Sequence, residues 1–101
     1  MKHKLCDLSD IPLEGSILVP FFGREVHVYR AEYSYRAAAN VCLHFGGPLE
    51  CKNGHFVCPW HGASYDMASG ERLSGPAPKA SKLMFLSTEA DDTALYYVWG
   101  E

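Results

Sequence analysis

Four side chains able to bind a metal fall in two short boxes, Cys42-Leu43-His44 and Cys58-Pro59-Trp60-His61, each ordered cysteine first and histidine second. In extended or loop backbone, residues two apart point to the same side, whereas the step from Cys58 to His61 needs a turn. Residues 45–57 leave room for a hairpin between the boxes, so two loops can converge on one centre. Thiolates favour zinc, Cu(I) or iron–sulfur centres, and imidazole suits zinc, copper, iron and nickel. A mixed set narrows the choice to zinc or an iron–sulfur cluster. Ligand type alone leaves both open, and a structural Cys2His2 zinc module would satisfy it.

The residues around the ligands add more. Cys42-Leu43-His44-Phe45-Gly46-Gly47-Pro48-Leu49 and Cys58-Pro59-Trp60-His61-Gly62-Ala63-Ser64-Tyr65-Asp66 resemble the paired boxes of Rieske-type [2Fe–2S] proteins. Ser69-Gly70-Glu71-Arg72, followed by Ser74-Gly75-Pro76-Ala77-Pro78, resembles that family's continuation into a proline-containing loop. In Rieske centres two histidines replace two cysteines on one of the two irons. The resemblance therefore implies a [2Fe–2S] cluster with Cys42 and Cys58 on one iron and His44 and His61 on the other. It also implies that Gly46, Gly62, Tyr65 and Pro76 support the ligands from close by. Against the zinc module, no segment reads as the helix that carries the second histidine pair of a zinc finger. The span between the boxes is shorter than usual for the family, which implies a trimmed hairpin. Respiratory-type members carry an extra cysteine in each box, joined as a disulfide; Gly47 and Trp60 stand in those places here, so no such bridge is implied.

A chain of 101 residues is read as a single domain over 1–101, with a cluster-binding subdomain at about 41–67. There is no length left for a catalytic domain beside it. Net charge is −3, without a basic patch or a run of like charges, so nucleic acid is not an expected partner. Lys2 and Lys4 are not followed by an apolar signal region, and no stretch reaches the length of a membrane span. The expectation is a soluble, cytoplasmic monomer. Cys6 and Cys51 remain after the ligands are removed, and both read as buried free thiols.

Short strands separated by turn chemistry make up the rest. His3 to Leu8 reads as an edge strand ending at Ser9-Asp10-Ile11-Pro12. Ser16 to Phe21 and Glu25 to Arg30 form a hairpin about Gly23, with Val26, Val28 and Arg30 alternating with Glu25, His27 and Tyr29. Tyr33 to Val41 is read as a strand despite Ala37-Ala38-Ala39, because it must deliver Cys42 into a loop. Asn53-Gly54, between Leu49–Lys52 and His55–Cys58, is the strongest hairpin signal, since both positions of a type I′ turn need positive φ. Ala63–Met67 pairs with Glu71–Leu73, and Leu83–Thr88 with Ala94–Trp99. The fold class is thus all-β and antiparallel, a Rieske-type β-sandwich or barrel with a small cluster-binding subdomain. The tyrosines, Phe21, Phe22, Phe85 and Trp99 read as core or strand-face residues.

The function that the resemblance implies is one-electron transfer. Neutral imidazoles in place of anionic thiolates favour the reduced state and raise the potential above that of all-cysteine clusters. In the high-potential members a serine two residues after the second histidine donates to a bridging sulfide, and a tyrosine four residues after it donates to a cysteine sulfur. Those positions are Ala63 and Tyr65 here, which places the expected potential in the lower half of the Rieske range; Ser64 could substitute only through a shifted loop. His3, His27 and His55 read as surface or strand residues, and no nucleophile–base pair suggests catalysis. Leu43, Phe45, Pro48, Pro59 and Trp60 form an apolar cap, with Trp60 and Phe45 the expected partner contacts. The implied partners are a flavin-dependent ferredoxin reductase and a terminal oxygenase. The alternative is a small redox subunit of a larger oxidoreductase.

Overall fold

The computed structural model describes residues 1–31, 34–40, 49–52, 54–58, 62–75 and 82–99. Two compact units divide the chain, one formed by Met1–Ala39 and Phe85–Glu101, the other by Asn40–Met84. Every strand pair among the described residues is antiparallel, and the only helical element there is a 3-10 turn at Leu8–Asp10. The all-β reading holds.

The first unit contains two three-stranded sheets. One has the order β1 (Lys2–Asp7), β10 (Ala94–Val98), β9 (Thr88–Ala90), and the other is the meander β2 (Ser16–Phe21), β3 (Arg24–Ala31), β4 (Ser34–Ala39). The register of β1 slips between Lys4 and Cys6, so Leu5 is an extra residue. It joins Ile11, Val19, Val26, Val28, Ala37 and Leu95 in the core. β3 is the central strand of its sheet and is buried on both faces from Val26 to Tyr29, so the expected alternation does not sort inside from outside there. His27 is consequently buried, with Nδ1 2.9 Å from the Ser16 hydroxyl.

Phe22 and Gly23 form the β2–β3 turn with φ of 49° and 82°. This is the two-residue loop that needs positive φ at both positions, and only one of them is glycine. Phe22 is 68% exposed rather than in the core, lying against His3 and Phe21 at ring separations of 4.7 and 4.8 Å. The last hairpin is also displaced from its predicted position. Thr88–Ala90, not Leu83–Thr88, pairs with β10, while Leu86 donates to the Ala37 carbonyl and Phe85 bridges Ala38. Its turn is fixed by Asp91, whose Oδ1 accepts from the backbone N–H groups of Thr93 and Ala94, both at 2.8 Å.

The second unit is a four-stranded meander, β5 (Glu50–Lys52), β6 (His55–Val57), β7 (Ser64–Asp66), β8 (Arg72–Ser74). Gly54 has φ of 80°, as the Asn53-Gly54 signal requires; Asn53 itself lies outside the described residues. Leu49, Phe56, Cys58, Ala63, Tyr65, Met67 and Leu83 are buried.

Candidate metal centre

Cys58, the first residue of the second box, directly follows β6 of the β6–β7 pair. Val57 pairs with Ser64, and one step further on the Cys58 N–H donates to the Ala63 carbonyl at 2.8 Å. Gly62 N–H donates back to the Cys58 carbonyl, also at 2.8 Å. The 58–63 loop is therefore closed by two backbone bonds at its base, which leaves little freedom in where Cys58 sits. Gly62 has φ of 77° with open space around a notional Cβ, so its backbone conformation, not crowding, asks for glycine.

Cys58 is fully buried and, like Cys6 and Cys51, forms no disulfide. Burial pushes the Cys6 and Cys51 thiols above the usual range, and Cys51 is 3.4 Å from the Met67 sulfur. Of the other sequence-predicted residues, Cys42, Leu43, His44, Phe45, Gly46, Gly47, Pro48, Pro59, Trp60, His61 and Pro76 lie outside the described residues. Among the described residues no group of three metal-binding side chains is gathered.

The edges of the first box are nonetheless fixed. Asn40, two residues before Cys42, accepts through Oδ1 from the N–H of Leu49, five residues after His44, at 2.8 Å. The entry and exit of the 41–48 segment are thereby tied together. The sequence offers only a weak sign of this, an asparagine at the end of a strand.

Ala63 and Tyr65 are both fully buried and Ser64 between them is not, as the period of a strand dictates. Tyr65 stands opposite Phe56, which is also fully buried. The Ser64 hydroxyl is engaged with that of Ser74 at 2.8 Å, which removes it as a stand-in for the missing serine at Ala63. Gly75, with φ of 99°, lies so close to the loop that a Cβ there would meet Ala63 Cα at 2.4 Å and the Gly62 carbonyl oxygen at 3.0 Å. A buried sulfur on a loop closed by two backbone bonds, with the Gly75 backbone packed against that loop, has the fixed position and exclusion of water that a cluster ligand requires.

The family model of the Rieske [2Fe–2S] domain matches residues 1–89. The chain belongs to that family. Its cofactor is a Rieske-type [2Fe–2S] cluster with cysteine and histidine ligands. When bound, such a cluster accepts and gives back one electron at a time, and Rieske domains are electron-transfer domains. Among curated proteins, it is similar to a cytochrome b6-f complex iron–sulfur subunit of Nostoc sp., with 42% identity over 57 residues, 54% of this chain and 31% of that protein. The chain spans about a third of the length of the curated relatives it matches. Two solved structures share the Rieske fold over nearly their whole length. A ferredoxin of Sphingomonas yanoikuyae B1 has a TM-score of 0.79 at 18% identity, covering 99% of this chain and 100% of that one. A plasma membrane Rieske protein of Synechocystis has a TM-score of 0.79 at 26% identity, covering 96% and 99%. Among the described residues, no helix of this Rieske chain is long and apolar enough to cross a membrane.

Proposed function

We propose that Cys42, His44, Cys58 and His61 hold the Rieske cluster, Cys42 and Cys58 on one iron and His44 and His61 on the other. The chain then acts as a cytoplasmic ferredoxin, carrying single electrons from a flavin-dependent reductase to a terminal oxygenase. In this reading residues 1–101 are one Rieske domain, a monomer without catalytic residues of its own, and the cluster-binding part is about 41–67. Gly46, Gly62, Tyr65 and Pro76 support the ligands, and Phe45 and Trp60 touch the partners.

The observation that carries the ferredoxin reading is at Ala63. The residue is fully buried, has no hydroxyl, and is flanked by a Ser64 whose hydroxyl is bound to Ser74. A centre deprived of that donor is held at lower potential, which suits delivery of electrons from a flavin better than removal of electrons from a quinol. Redox titration tests it. The expected midpoint lies in the lower half of the range from roughly −150 to +300 mV. A midpoint in the upper half would favour the second reading, a redox subunit of a larger oxidoreductase, which has its support in the likeness to cytochrome b6-f subunits.

A further inference from the structure

One contact in the second unit serves neither strand pairing nor the core. Between Ser64–Ser74 and Tyr65–Arg72 the β7–β8 register advances one residue on β7 and two on β8, which makes Leu73 a bulge. Bulges re-aim the strand that follows them. Here the re-aimed segment is Ser74–Gly75, and it is directed onto Ala63, the residue whose carbonyl closes the cysteine loop.

The segment is then held from its own side. The Arg72 guanidinium reaches past the bulge and donates through Nη1 to the Gly75 carbonyl at 2.9 Å, and the Ser74 hydroxyl meets that of Ser64 at 2.8 Å. Gly75 can be pressed against Ala63 Cα only because it lacks a Cβ; any side chain would meet backbone, which cannot move aside without opening the loop.

We propose that Arg72 is a positioning residue for the cluster: by holding the Gly75 carbonyl it seats the Gly75 backbone on Ala63 and clamps the loop that presents Cys58 and His61. The proposal rests on the ligand assignment above. A solvated arginine bonded to a surface carbonyl would contribute to the β8 end and nothing more. A clamp governs how firmly two ligands stay in place and how much water reaches them.

The test uses the purified, cluster-bearing protein and its Arg72→Gln and Arg72→Lys variants. The readouts are the rate at which visible absorbance bleaches in excess EDTA and the EPR spectrum after reduction. Loss of an outer support typically costs roughly 10- to 100-fold in metal affinity, so Arg72→Gln is expected to bleach at least tenfold faster with a broadened or shifted signal. Arg72→Lys, which keeps one donor for the carbonyl, is expected to recover most of the difference. Ser74→Ala, which removes the other arm, moves both readouts the same way by less, and it decides the matter if Arg72→Gln does not fold. Variants that bleach at the wild-type rate with superimposable spectra overturn the clamp, as does a fall in melting temperature alone. A wild-type protein without iron–sulfur absorbance overturns the ligand assignment itself, and the clamp with it.

Discussion

Ser64 and Ser74 face each other across β7 and β8 with their hydroxyl oxygens 2.8 Å apart, while Ala63, one residue earlier, is fully buried. The hydroxyl nearest in sequence to the position that matters is thus committed elsewhere. Ser64→Ala, which removes the same bond as Ser74→Ala, is expected to move the midpoint potential far less than a donor gained at position 63. Ala63→Ser supplies a donor on the correct side of the strand and is expected to raise it. A hydrogen bond to a charged acceptor is worth ~1.5 kcal/mol at the low end, roughly 60 mV for one electron. Redox titration of the two variants checks both statements, and a change in Ser64→Ala alone would show that the assignment is misplaced by one residue.

Tyr65 shares the buried face with Ala63. If its hydroxyl stabilises a ligand sulfur, Tyr65→Phe keeps the packing against Phe56 and lowers the potential by an amount on the order of 60 mV. An unchanged potential would remove Tyr65 from the account of tuning.

The Asn53-Gly54 turn separates fold from function. Gly54 has φ of 80° and open space around a Cβ, so Gly54→Ala meets no neighbour and suffers only the left-handed backbone. Its expected cost is ~1–2 kcal/mol in a denaturant melt, with no change in EPR spectrum. Gly75→Ala, by contrast, is expected to lose the cluster, because its Cβ meets Ala63 backbone at 2.4 Å.

Asp91 gives the last hairpin a pH signature. Backbone donation from Thr93 and then Ala94 holds its carboxyl at about 2, below the ordinary 3.8. A carboxyl depressed in the folded state binds protons more readily when unfolded, so its stabilising effect is complete above 3.8 and fades as pH falls to about 2. Asp91→Asn retains an acceptor without the charge. Thermal melts should show wild type losing melting temperature faster than Asp91→Asn as the solution is acidified across that window; parallel curves would contradict the assignment.

How far the sequence reaches is clear from particular residues. The hairpins about Gly23 and Gly54 are legible because two-residue turns demand glycine and the flanking strands carry β-branched or aromatic residues. β9 is not, because Leu83–Thr88 reads as a strand while Phe85 and Leu86 bind β4, a tertiary preference without a local signal. Phe22 looks like a core residue and lies in a turn because the turn needs a residue at that position, whatever its side chain. At the site, strand alternation correctly separates Ala63 and Tyr65 from Ser64. Asn40 and the Arg72–Gly75 contact escape, since side chains that bind backbone across a loop follow no period.

The central claim is that this Rieske chain carries its cluster on two cysteines and two histidines. The most direct measurement is low-temperature EPR of the dithionite-reduced protein, purified without oxygen, beside iron and zinc analysis. The account predicts two irons per chain, as a [2Fe–2S] cluster requires, and a reduced signal with the low average g value of a histidine-ligated centre. Stoichiometric zinc with no EPR signal would contradict it.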